Sequence, residues 1–339
     1  STLSSSSAAS DVYKRQILNI VFLIAGLAFI LVGANMLTDG ASSIAKRWGV
    51  SELVIGLTVV AFGTSAPELV ISIVSAINGS AELAIGNVVG SNIFNVLAII
   101  GITAIFAPIK IERSIMTKDI PLVLLSALVL LAMGNAPLLD GASSRILSRV
   151  DGIVLLLFFT IFLRHTFSSA KSATPAESQE IERFKTKDMP LWKSILWVAI
   201  GLAGLIIGGD QFVNGASGIA SGLGVSDAII GLTIVAAGTS LPELATSITA
   251  AVKGKPGIAL GNVIGSNIFN IFLVLGCSAT IRPLPFGGIG NFDLLVLTGA
   301  CLLFWIFGWF FKQRTITRAE GIILATCYVA YVAYLVANA

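Results

Sequence analysis

Long apolar runs alternate with short polar breaks along the whole chain. Ten runs reach the roughly 20 mostly apolar residues that a membrane-crossing helix needs. They lie at 17–38, 51–78, 83–106, 119–136, 150–167, 192–213, 226–252, 257–280, 291–311 and 319–337. One hydrophilic stretch, SSAKSATPAESQEIERFKTKDMP at 168–190, divides five runs from five. Its charge and its Pro and Ser content read as a solvated linker. The pattern predicts an all-α integral membrane protein of ten transmembrane helices. Residues 17–167 form one five-helix half, 168–191 a linker and 192–339 a second half. Residues 1–16, STLSSSSAASDVYKRQ, lack the apolar centre of a signal peptide and read as a disordered leader or an artefact.

Composition supports the class. Of 339 residues, 55% are hydrophobic and 12% charged, with a mean hydropathy of +0.93. Soluble chains carry about 25% charged residues. The basic residues sit in short loops and form no patch, which argues against a nucleic-acid partner. Cys277, Cys301 and Cys327 lie inside apolar runs and read as small buried hydrophobes, so no cofactor is implied. His165, beside Arg164 at the end of a run, reads as interfacial. Loops after odd-numbered spans hold 16 of the 21 Lys and Arg residues, against 5 on the other side. By the positive-inside rule the linker is cytoplasmic and both termini are outside, in a multi-pass protein of the cell membrane.

The chain also repeats itself. Residues 33–101 align without a gap onto 208–276, with about half the positions identical. The best blocks are GLTVVAFGTSAPEL with GLTIVAAGTSLPEL, and GNVVGSNIFN with GNVIGSNIFN, in motifs spanning 56–101 and 231–276. Five spans separate equivalent points, and five is odd, so the second copy is expected upside down. Loop charge agrees. Lys46 and Arg47 follow the first span, whereas Lys253 and Lys255 follow the seventh, and the equivalent loops carry no Lys or Arg. Inverted repeats typify secondary transporters, with the site near the midplane.

The repeated motif carries the chemistry. Glu68 and Glu243 lie well inside their spans, where a carboxylate faces the protein interior or a water-filled cavity. The pseudo-two-fold can bring the two together, and a divalent cation would balance them. Pro67 and Pro242 lack an N–H and clash with the carbonyls of Gly63 and Gly238. The helix is therefore expected to open, freeing carbonyls around Ala61–Thr64 and Ala236–Thr239. Thr64, Ser65, Thr239 and Ser240 add hydroxyls. Ser91 and Asn95 share one helical face, as do Ser266 and Asn270. All these donors are hard oxygens, suited to Ca²⁺, Na⁺ or Mg²⁺. A single Ser, Thr or Asn in a membrane helix is interhelical glue by default, and the glycines read as packing. A glutamate doubled in symmetric copies is what points to a site. Asp39, Asp210, Glu52 and Asp227, near span ends, read as peripheral.

At these residues the chain resembles the sodium/calcium exchangers of the calcium/cation antiporter superfamily. The resemblance covers both GTSxPE…GNVxGSNIFN repeats and nearly the whole chain. It implies that spans 2 and 7 pack against spans 3 and 8 around a diamond of cation sites. Glu68 and Glu243 would be central ligands shared by Ca²⁺ and Na⁺. Thr64, Ser65, Thr239 and Ser240 would add oxygens, and Ala61 and Ala236 their carbonyls. Ser91, Asn95, Ser266 and Asn270 would line the remaining positions, and spans 1 and 6 would slide across this core. Some members carry Asp at the position of Asn270; here both copies have Asn, which argues against potassium dependence. The expected function is Ca²⁺ exchange for Na⁺ by a protein for which a monomer in lipid suffices. H⁺/Ca²⁺ exchange through the same glutamates is the alternative, and a passive cation channel a further one. An intramembrane enzyme is disfavoured, because an acid–base pair needs two different environments.

Overall fold

The structure, a computed structural model, describes residues 2–79, 81–141, 144–171, 189–224, 236–310 and 314–338. Eight described helices are long and apolar enough to cross a membrane. The membrane-crossing part of α1 (Thr2–Trp48) is Gln16–Trp48. The others are α4 (Leu83–Phe106), α5 (Ile115–Met133), α6 (Arg149–Ser168), α7 (Leu191–Gly222), α9 (Pro256–Ile281), α10 (Asn291–Phe310) and α11 (Arg318–Ala337). A ninth span is broken: α2 (Glu52–Thr64) meets α3 (Ala66–Asn78) at 46°. Of the run expected at 226–252, residues 226–235 lie outside the described residues. The remainder is a helical turn, Ala236–Gly238, followed by α8 (Leu241–Val252). The linker expected at 168–191 is described only at its two ends. The result is a multi-pass helical membrane protein.

Several boundaries differ from expectation. Residues 2–16, read as a disordered leader, are helical here. A Ser/Ala-rich stretch joined to a long apolar helix has its nucleus already formed, and each further residue adds a hydrogen bond at little cost. At its other end α1 runs ten residues past the predicted 38, and α7 runs past 213 to Gly222. Ala41, Ser42 and Ser43 are buried. That turn is held by protein, so hydropathy alone stops too early.

Burial separates two kinds of helix. In their most apolar windows, 83% of α4 and 94% of α9 is buried, against 22% of α1 and 28% of α7. The GNVxGSNIFN helices are thus the centre of the protein, and α1 and α7 lie on its lipid-facing side. Their own contact is backbone against backbone. A Cβ on Gly33 would sit 2.7 Å from the carbonyl oxygen of Gly201, and one on Gly201 would sit 2.6 Å from the nitrogen of Leu37. Only glycine permits that approach.

Two short antiparallel ribbons join the halves at the ends of the helices. β1 (Ile109–Lys110) pairs with β4 (Thr315–Ile316), Ile109 opposite Ile316. β2 (Ile146–Leu147) pairs with β3 (Leu284–Pro285), Ile146 opposite Pro285. Loop backbone that would otherwise need water is satisfied in this way.

Candidate cation site

Both GTSxPE copies break their helix at the serine. Ser65 has φ −85° and ψ 5°, and Ser240 has φ −94° and ψ 8°. Pro67 and Pro242 then fall in the first turns of α3 and α8, where a missing N–H costs nothing. The break therefore lands between the two residues expected to cause it, glycine and proline. The Ala61 carbonyl, expected to be freed, accepts the Ser65 N–H at 3.0 Å and the Thr64 hydroxyl at 3.4 Å. Ala236 begins the described part of the second copy.

Glu68 and Glu243 stand in the first turns of α3 and α8. There the positive end of the helix dipole favours an anion. Both side chains are fully buried. Each receives a hydroxyl from the opposite half: Ser65 Oγ donates to Glu243 Oε1 at 3.2 Å, and Ser240 Oγ to Glu68 Oε1 at 3.5 Å. Thr239 also faces Glu68, and Thr64 and Ser266 face Glu243. The two carboxylates thus belong to one cluster at the junction of the halves.

Several polar atoms in this region are buried without a hydrogen-bond partner. They include Oε2 of Glu68 and of Glu243, Oγ1 of Thr239, Oγ of Ser91 and of Ser266, both polar atoms of the Asn95 side chain, and Oδ1 of Asn270. An orphaned buried polar group costs about 1–3 kcal/mol. Apart from the Asn95 amide nitrogen they are oxygens, and they fit a hard cation. No group of three or more His, Cys, Asp or Glu side chains gathers among the described residues. Two carboxylates with neutral oxygens match a divalent ion in charge and provide no soft ligand.

Asn95 and Asn270 lie in π-helical turns, Phe94–Ile99 and Phe269–Leu275. Such bulges re-aim a side chain and often mark functional sites. Asn270 Nδ2 donates to Asn92 Oδ1 at 3.0 Å, and Asn270 Oδ1 is buried without a partner. Neither Ser91 nor Asn95 bonds to a carboxylate. Sequence reasoning passed over the remaining asparagines of the second block, Asn87, Asn92, Asn262 and Asn267. Their signal was present, since each is duplicated at the repeat offset.

One electrostatic feature is not duplicated. Lys253 pairs with Asp39 of α1 at 2.7 Å, and Lys255 reaches the same carboxylate at 3.7 Å. Burial holds the Lys255 ammonium below the usual lysine range, partly offset by Glu52 and Asp39. The positions equivalent to Asp39, Lys253 and Lys255 are Asn214, Asn78 and Ser80, with no charge.

Comparison with known proteins gives concordant matches. A family model described as sodium/calcium exchanger protein matches residues 18–167 and 193–337. The chain is 39% identical over 318 residues to the putative antiporter CaxA of Alkalimonas amylolytica, covering 92% of this chain and 96% of that protein. It is 35% identical over 348 residues to the sodium/calcium exchanger MaX1 of Methanosarcina acetivorans, covering 94% and 98%. A solved structure of the sodium-calcium exchanger NCX_Mj, soaked with zero Na⁺ and Ca²⁺, superposes with a TM-score of 0.78. That match has 35% identity and covers 94% of this chain and 98% of that one.

Proposed function

Because the chain belongs to the sodium/calcium exchanger family, we propose that it is a secondary active antiporter that exchanges Ca²⁺ for Na⁺ across the membrane. The exchange proceeds by alternating access at a two-glutamate site near the bilayer midplane. The observation that carries this reading is the crossed pair of hydroxyl–carboxylate contacts, Ser65 to Glu243 and Ser240 to Glu68. Each leaves the second carboxylate oxygen unpartnered. Ligands drawn from both halves bind a cation only while the halves hold one register. A relative movement that keeps the cluster intact but changes which end is open carries the ion across.

The architecture proposed is ten spans in two inverted five-helix repeats, residues 17–167 and 192–339, around a cytoplasmic linker at 168–191. Both termini lie outside, and one chain suffices. The tenth span is the run at 226–252. The repeat offset and the opposite loop charges of the two copies support the inversion. Glu68, Glu243, Thr64, Ser65, Thr239, Ser240, Ser91, Asn95, Ser266 and Asn270 bind through side chains, and Ala61 and Ala236 through carbonyls. α1 and α7 form the moving layer, and their backbone-to-backbone seam supports movement as a unit. Na⁺ and Ca²⁺ compete for the carboxylates, so that the Na⁺ gradient drives Ca²⁺ movement. No prosthetic group takes part, and the reaction is transport, not catalysis.

Proteoliposomes with an imposed Na⁺, K⁺ or pH gradient test the reading. It expects Ca²⁺ uptake only against internal Na⁺. Uptake driven by a pH gradient alone would favour H⁺/Ca²⁺ exchange, and uptake with no counter-ion gradient a channel.

A further inference from the structure

We infer that Asn262 is a positioning residue of the cation site, an amide brace that sets the Thr64 hydroxyl and the Glu243 helix in register, and that Asn87 is its partner in the other half. The inference rests on the exchanger reading and concerns residues outside the ligand set proposed above. Asn262 lies on α9 and is fully buried. Its Nδ2 donates to the backbone carbonyl of Glu243 at 3.1 Å and to Ser247 Oγ at 3.0 Å. Its Oδ1 accepts the Thr64 hydroxyl at 3.0 Å. The orientation of the amide follows from chemistry, because a carbonyl can only accept and the nitrogen must face Glu243. One side chain thereby joins the break in α2–α3 to the carboxylate-bearing turn of α8.

The consequence concerns Thr64 directly. A hydroxyl coordinates a cation through its lone pairs, and its hydrogen must point elsewhere. For Thr64, Asn262 Oδ1 at 3.0 Å is the nearer of two acceptors, the Ala61 carbonyl lying at 3.4 Å, and turning the hydrogen to Asn262 makes the Thr64 oxygen an acceptor before any ion arrives. The binding step then does not include the cost of turning the hydroxyl. Neither Asp nor Ser reproduces the arrangement. An ionised Asp loses both donations, and Ser is too short to span from Thr64 to Glu243.

The repeat makes the brace more than local packing. Asn87 occupies the equivalent position and donates to Ser72 Oγ at 3.2 Å, the counterpart of the Asn262–Ser247 bond. The other two contacts are missing: Asn87 makes no bond to the Glu68 carbonyl, and Thr239 Oγ1, the counterpart of Thr64 Oγ1, has no hydrogen-bond partner. Two identical amides thus hold the two halves unequally. In this conformation the Thr64 side is braced and the Thr239 side is not. Inverted halves that exchange roles during transport would exchange this bond as well.

Na⁺-driven Ca²⁺ uptake into proteoliposomes, measured against Ca²⁺ concentration, reads the effect. Asn262→Ala is expected to raise half-saturating Ca²⁺ about tenfold, the scale of one lost hydrogen bond, with the maximal rate changed less. Thr64→Val is expected to weaken Ca²⁺ severalfold in the wild-type background and to add almost nothing in the Asn262→Ala background. Purely structural damage would instead give additive effects. If Asn262→Ala does not purify as folded protein, the same cycle run with Asn262→Ser decides. Asn87→Ala is expected to have the smaller effect, because its threonine contact is not formed. Unchanged half-saturation in a folded Asn262 variant, or additivity with Thr64→Val, would overturn the brace. Absence of Na⁺-driven uptake by the wild-type protein would instead overturn the exchanger reading on which it rests.

Discussion

Ser65 donates its hydroxyl to Glu243 at 3.2 Å, across 178 residues of sequence. The bond crosses from one copy of the repeated motif to the other, and Ser240 returns it to Glu68. Neither half can build this cluster alone.

The serines themselves give a first expectation. Ser65→Ala and Ser240→Ala each remove a hydroxyl bonded to a carboxylate, an interaction of about 1.5–3 kcal/mol. Weakened Ca²⁺ binding of roughly tenfold or more is expected for each, by titration of purified protein. The effect should be similar for both, because the contacts are related by the repeat. A defect in one serine alone would mean that the cluster is not shared equally.

Asn270→Asp places a third carboxylate in the cluster. Its Oδ1 is already unpartnered, while its Nδ2 is held by Asn92. The added charge requires a proton or a further cation. Ca²⁺ flux should therefore gain sensitivity to pH or to K⁺, with folding retained. Unchanged ion dependence would remove Asn270 from the site.

The seam between α1 and α7 makes a packing prediction. A Cβ on Gly201 would lie 2.6 Å from the Leu37 nitrogen, whereas one on Gly204 would meet its nearest atom, the Gly33 Cα, at 3.4 Å. Gly201→Ala should lower thermal stability in detergent and transport together, while Gly204→Ala should be tolerated. Equal tolerance would mean that the backbones are not in contact.

Topology is tested by labelling. A single cysteine introduced in 170–188 should react only with reagent on the cytoplasmic side, following the 16-to-5 distribution of basic residues. Labelling from outside intact cells would invert the orientation.

Much of the fold was legible because hydropathy reports lipid contact well. The run 83–106 begins two residues inside a helix that starts at Ala81 and ends with it at Phe106, and 319–337 falls within one residue of α11. The reading failed where protein replaced lipid as the surroundings. Thr38, Ser42 and Ser43 are polar by composition yet buried, and α1 continues through them. The two glutamates stood out because a buried acid is costly and these recur. Asn262 did not stand out, since a lone asparagine in a membrane helix reads as glue. Two of its bonds join α8 to α9, and the third, to Thr64, appears only when the two distant breaks are folded together. Proline pointed to the helix break, but the backbone turns at serine, the residue that also bonds across the halves. The π-helical turns carrying Asn95 and Asn270 have no pattern in hydrophobicity at all.

The shared site is tested most directly by Glu68→Gln and Glu243→Gln, assayed singly for Na⁺-driven Ca²⁺ uptake in proteoliposomes. Glutamine keeps the size and the acceptor oxygen but removes one charge. A divalent ion then meets a single carboxylate in a buried cavity, where Coulomb terms reach a few kcal/mol even at an effective dielectric near 20. Each 1.4 kcal/mol is about tenfold in affinity. Both variants should insert and purify as folded protein and lose nearly all Ca²⁺ uptake. Near-normal exchange by either one would contradict the account and leave that glutamate a buried structural acid.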